Sequence, residues 1–222
     1  MLRSLLFAGT LLLIFVSCQS NNKADAPKIS DQNETKNTVQ RKTIVFFGNS
    51  LTAAYQLSPE QGFTYLLQQK IDSLGLPYQC VNAGLSGETT ADGKNRIAWV
   101  LQQPMDVFML ELGGNDALRG LPVEASKQNL QAIIDQVKTK YPQCKILIAG
   151  MLAPPNLGDR YTTAFKTMFA DLAKKNNARL LPFLLENVGG VPALNLEDGI
   201  HPNPAGQKIV AQTVWKYLQP ML

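Results

Sequence analysis

The chain has 222 residues, 45% of them hydrophobic and 17% charged, enough for one packed domain and with no sign of a second. Its formal net charge of +4 is spread along the chain without a run of like charges or an interleaved aromatic series, which excludes a nucleic-acid-binding surface. One histidine and scattered carboxylates cannot furnish a zinc or other metal site, three cysteines do not make a disulfide framework, and no motif calls for a cofactor.

Residues 1–17 open with Arg3, run through LLFAGTLLLIFV and end in small residues, the pattern of a secretory signal. The apolar run is about half the ~20 residues that a membrane-spanning helix needs. Phe15-Val16-Ser17-Cys18 resembles a bacterial lipobox, which implies a lipid on Cys18 as the first mature residue. Phe15 stands where leucine is usual, so ordinary signal cleavage is the alternative. Residues 18–42 are polar, carry both charge signs and lack an apolar period, as a disordered tether does. About 24 flexible residues reach roughly 25–30 Å, enough to hold a domain beside a bilayer without inserting it. The expected place is the bacterial cell envelope, on its periplasmic side or at the cell surface. A soluble periplasmic or secreted protein is the alternative.

The folded domain is expected over 43–222. Thr43 to Phe47 is short, apolar and rich in β-branched and aromatic residues, which suits a strand buried on both faces. Gly48 ends it and lets Asn49 and Ser50 emerge at the strand's carboxyl end, where open α/β sheets bind ligands. Ser50 is a candidate nucleophile, but a serine hydroxyl needs a base. A Ser/His pair can draw only on His201, and Asp198, three residues earlier, could hold the imidazole in its working tautomer. Ser58-Pro59-Glu60-Gln61 predicts a helix start with a capping box, and Gly75 its stop.

A second strand is expected over Tyr78 to Asn82, ending in the glycine-containing turn around Gly84 and Gly87. Residues 89–103 read as a helix ended by Pro104, and Val107 to Leu112 as a third strand running into the turn Gly113-Gly114-Asn115-Asp116. A helix over 123–140, a strand over Lys145 to Ala149, a helix over 161–176 and a strand over Ala178 to Leu181 follow. Asn203 and Pro204 then launch the last helix, which runs to about Leu218. This alternation of strands and helices implies a parallel sheet with helices on both faces. Ser50, Gly87 and Asn115 each follow a strand and so share one edge of that sheet. The loop after strand four, with Met151, Leu152 and Pro154, should reach the same edge and could line an acyl groove. It could equally be a proline-stiffened connector.

Gly48-Asn49-Ser50-Leu51, Gly87, Gly113-x-Asn115-Asp116 and Asp198-x-x-His201 together resemble the SGNH, or GDSL-type, hydrolases. The likeness is greatest to their bacterial thioesterase I, lysophospholipase and arylesterase group. The resemblance implies a three-layer αβα sandwich with a five-stranded parallel sheet in the flavodoxin-like order 2-1-3-4-5. It implies a triad of Ser50, Asp198 and His201, and an oxyanion hole of Ser50, Gly87 and Asn115. It also implies an acyl-enzyme on Ser50 formed from aryl esters, lysophospholipids or acyl thioesters. In that strand order Cys80 and Cys144 stand roughly 14 Å apart, beyond the ~7 Å limit of a disulfide, and are expected to be unpaired.

A carbohydrate O-deacetylase on the same scaffold and a lipid-anchored binding protein without turnover are the competing readings. The second glycine of the G-x-S-x-G elbow is replaced by Thr52, which disfavours an ordinary lipase fold. Asn49 stands where the family motif usually has aspartate; asparagine keeps an acceptor oxygen but loses the charge, which puts the positioning of the serine in question.

Overall fold

A computed structural model describes residues 40–222. The signal segment, Cys18 and most of the expected tether lie outside them. Five strands form one parallel sheet in the order β2-β1-β3-β4-β5, with β1 at Lys42–Gly48, β2 at Tyr78–Gly84, β3 at Val107–Glu111, β4 at Lys145–Ala149 and β5 at Arg179–Leu181. Of the helices, α1 (Phe63–Ser73) packs with α6 (Pro204–Leu218). The helix α4 (Val123–Lys140) packs with both α2 (Thr90–Val100) and α5 (Asp159–Asn176). The central strands are sealed on both faces: Phe46, Phe47, Phe108 and Met109 are fully buried, which accounts for their unbroken apolar runs.

Three local departures from the sequence reading have tertiary causes. Lys42, placed at the end of the tether, is the first residue of β1, and its N–H donates to the Pro77 carbonyl. The Ser58 segment closes only a 3₁₀ turn, Pro59–Gln61. Helix α1 begins at Phe63 because the Gln207 side chain, from α6, accepts the Phe63 N–H at 3.0 Å and satisfies an otherwise orphaned donor. The expected loop Gly113-Gly114-Asn115-Asp116 contains a short helix, α3 (Gly114–Leu118). Its start needs Gly113 at φ 118°, a conformation costly for any residue with a Cβ. Its Asp116 is buried, accepting from the Thr90 N–H at 2.9 Å, the Thr90 hydroxyl at 2.6 Å and the Ser126 hydroxyl at 2.9 Å.

Cys80 on β2 and Cys144 just before β4 are both free, with two strands between theirs in the sheet. Burial pushes each thiol up to about 12, so neither is a reactive thiolate. In a parallel sheet all strands start at one edge. The described chain enters at that amino edge, through Lys42, and its last residues return there, where the hydroxyl of Tyr78, the first residue of β2, donates to the Leu222 carbonyl at 3.2 Å.

Candidate active site

At the opposite, carboxyl edge, β1 ends at Gly48, where a Cβ would collide with the Thr52 hydroxyl and the Glu111 carboxylate. This closeness is what lets the chain turn and present Ser50. The Ser50 hydroxyl donates to His201 Nε2 at 2.8 Å, and with its proton on Nδ1 the ring donates to Asp198 Oδ2 at 2.7 Å. Asp198 also accepts the main-chain N–H of His201 at 3.0 Å and of Ile200 at 2.9 Å. Partial desolvation raises the Asp198 carboxyl, but these hydrogen bonds from His201 and Ile200 outweigh it and bring it down to about 2, so it stays ionised at neutral pH. The loop carrying both residues is closed by a bridge between Asn195 and Pro202 and by the Leu196 N–H donating to the His201 carbonyl at 2.7 Å.

Gly87, at φ 83°, sits on a loop held from several sides. Arg119 donates to its carbonyl at 2.9 Å, and the Asn115 amide donates to the Glu88 carbonyl at 2.9 Å. Arg96 donates to the Ala83 carbonyl at 2.9 Å and grips the buried Glu88 carboxylate with two hydrogen bonds, one of 2.6 Å. Among the described residues no group engages the N–H of Ser50 or of Gly87. Ser50, Gly87 and Asn115 therefore face one cavity with donors to spare, since Asn115 spends only one of its two amide hydrogens on Glu88. That cavity, about 700 Å³, is also lined by Met151, Leu152 and Pro154, together with Leu118, Phe183 and Ile200. The residues singled out in the sequence thus meet in one place, and the loop after β4 is a wall of it. Among the described residues no group of side chains is arranged to hold a metal ion.

Sequence reasoning assigned no role to four neighbours of the site. Tyr55 lies against the His201 ring, with centroids 4.6 Å apart; it is carried there between Ala54 and Gln56, both in the left-handed region at φ 56° and 58°. No local sequence signal announces that. Arg96 is an ordinary helix arginine in the sequence, and Arg119 lies between the third strand and the helix expected over 123–140; no local signal gives either its partner. Glu111 had a signal: an acid closing the apolar run VFMLE of a strand buried on both faces has to be paired or functional.

Residues 46–209 match the GDSL-like Lipase/Acylhydrolase family. The chain belongs to this family. It is 34% identical to Esterase TesA of Pseudomonas aeruginosa strain PAO1 over 222 residues, all of both chains. It is 36% identical to Thioesterase 1/protease 1/lysophospholipase L1 of Escherichia coli strain K12 over 181 residues, which are 81% of this chain and 85% of the relative. The crystal structure of TesA superposes with a TM-score of 0.78 at 37% identity, covering 82% of this chain and 100% of that one. Membership makes the protein a carboxylic ester hydrolase.

Proposed function

We propose that this ester hydrolase works through an acyl-enzyme on Ser50 and takes single-chain acyl esters: aryl esters, lysophospholipids and, as a further class, acyl thioesters. The observation that carries the reading is the 2.8 Å approach of the Ser50 hydroxyl to an imidazole whose far nitrogen meets an ionised carboxylate at 2.7 Å, at the wall of an apolar cavity. His201 takes the Ser50 proton as Ser50 attacks the carbonyl carbon. Asp198 stabilises the imidazolium, which then protonates the leaving alcohol or thiol. The oxyanion is received by the N–H groups of Ser50 and Gly87 and the free amide hydrogen of Asn115. A water activated by His201 hydrolyses the ester on Ser50 and regenerates the hydroxyl.

The Escherichia coli relative named as thioesterase and lysophospholipase and the Met151, Leu152 and Pro154 wall support the substrate class. Each acyl methylene buried against that wall adds about 0.8 kcal/mol of binding. Catalytic efficiency on p-nitrophenyl esters should therefore rise from acetyl to hexanoyl or octanoyl. A peak at acetyl with brisk release of acetate from acetyl-xylan would assign the site to carbohydrate deacetylation instead.

The same reading holds the domain at a membrane through a lipid on Cys18, supported by the lipobox-like Phe15-Val16-Ser17-Cys18. Multiple acyl chains on one residue are sufficient for stable anchoring. In cell fractionation, Cys18→Ala should move the enzyme from the detergent-requiring fraction to the soluble one. Unchanged detergent dependence would remove the anchor from this proposal.

A further inference from the structure

Glu111, the last residue of β3, is fully buried, and the mechanism above does not use it. Its carboxylate accepts three hydrogen bonds, all from the turn that carries the nucleophile. The Asn49 main-chain N–H reaches Oε2 at 3.1 Å, the Thr52 hydroxyl reaches Oε2 at 2.8 Å, and the Asn49 side-chain amide reaches Oε1 at 2.9 Å. These donors stand on both sides of Ser50. The other end of the Asn49 side chain accepts the Leu51 N–H at 3.0 Å, and the same oxygen lies 3.4 Å from the Ser50 hydroxyl, as a second acceptor competing with His201. Which way Asn49 points therefore bears on where the Ser50 proton points. The groups facing Glu111 from β1 and the following turn are all uncharged, and no ion pair among the described residues includes it.

We propose that Glu111 is a positioning residue for the nucleophile: its buried carboxylate clamps the turn bearing Ser50, and Asn49 completes the clamp with an amide donor that needs no shared proton. Its neighbours donate to the carboxylate, and a protonated Glu111 would have to donate in turn, reversing the Thr52 bond. An aspartate at position 49 would instead put two carboxylates in contact away from water, and one of them would have to hold a proton. Burial pushes the Glu111 carboxyl up to about 7, against the opposing pull of the Thr52 and Asn49 hydrogen bonds. The clamp therefore opens as pH falls below neutrality. The catalytic consequence rests on the Ser50 reading given under the proposed function.

The test compares the wild type with Glu111→Gln and with the exchange Asn49→Asp/Glu111→Gln. In the single variant two amide donors face each other. In the exchange, the amide introduced at position 111 donates to the carboxylate introduced at position 49, and the carbonyl of that amide still accepts from the main-chain N–H of residue 49 and from Thr52. Glu111→Gln should lower kcat about 10- to 100-fold with little change in KM, as expected for a misplaced nucleophile, and the exchange should restore most of it. On the acid side, log(kcat/KM) should fall more steeply in the wild type than in Glu111→Gln, because only the wild type has a carboxyl at position 111 to protonate. A Glu111→Gln enzyme with wild-type kcat, an exchange no better than the single variant, or the same acid-side slope in the wild type and Glu111→Gln would overturn the clamp.

If the wild type hydrolyses no ester, the Ser50 reading fails by itself and the clamp is judged by urea unfolding. A carboxyl raised in the fold from 4.5 to about 7 binds its proton more tightly folded than unfolded. Wild-type stability should then fall relative to Glu111→Gln as pH rises across that interval, and the exchange should recover stability lost in the single variant. Parallel pH profiles, or no recovery, would overturn the clamp there.

Discussion

Replacing Ser50 by alanine is expected to lower turnover of a short aryl ester on the order of 10⁵-fold or more, with the domain still folded. The hydroxyl makes one strong hydrogen bond, to His201, so its loss removes the nucleophile without opening the core. His201→Ala should do the same damage, and the double variant no more, because members of a triad act on one step. Asp198→Asn should cost about 10⁴-fold, since an amide facing Nδ1 favours the wrong tautomer. With its carboxyl at about 2, Asp198 supports both charge pairing and folding above its unfolded value and loses that support only as pH falls through about 2. It therefore contributes nothing to an activity loss between pH 5 and pH 7. Contaminant-free Ser50→Ala protein that turns over at wild-type rates would refute the assignment.

Arg96→Met is expected to destabilise the domain by about 3–5 kcal/mol, a large part of the 5–15 kcal/mol typical of a domain. The Glu88 side chain that Arg96 grips is 1% exposed, so removing the guanidinium strands a carboxylate away from water. Part of the loss is packing, because the guanidinium lies 4.3 Å from the centroid of the Phe47 ring. Adding Glu88→Gln should return a substantial share by removing the charge. Urea unfolding of the two variants checks this. A loss under 1 kcal/mol for Arg96→Met would mean that water reaches Glu88 and that the ion pair contributes little. The Arg96 contacts also hold the segment from Ala83 to Glu88, so the variant should show a reduced kcat on the native side of its transition.

What the sequence disclosed is what depends on short-range pattern. The limits of α4 and β4 are visible in it because an apolar period, or an unbroken apolar run, starts and stops there. Asn203 caps α6 as its residue type suggests, accepting from the N–H groups of Ala205 and Gly206. What stayed hidden is fixed by partners far along the chain. The start of α1 depends on Gln207, 144 positions away. Helix α3 lies in a glycine-rich stretch of poor helix propensity and is tied down through Asp116 to Thr90 and Ser126. The catalytic candidates could be read because few residue types do that chemistry and only one histidine was on offer. The contacts of Tyr55, Arg96 and Arg119 were not legible, because no spacing rule encodes them.

Both ends of the described chain sit at the amino edge of the sheet, where Lys42 enters and Leu222 is tied to Tyr78, whereas the cavity opens at the carboxyl edge. A seven-residue strand such as β1 spans about 23 Å between the two edges. Grafting the domain by either terminus onto a resin, an electrode or a fusion carrier therefore leaves the substrate opening on the far side. Coupling through surface amines has no such directional preference.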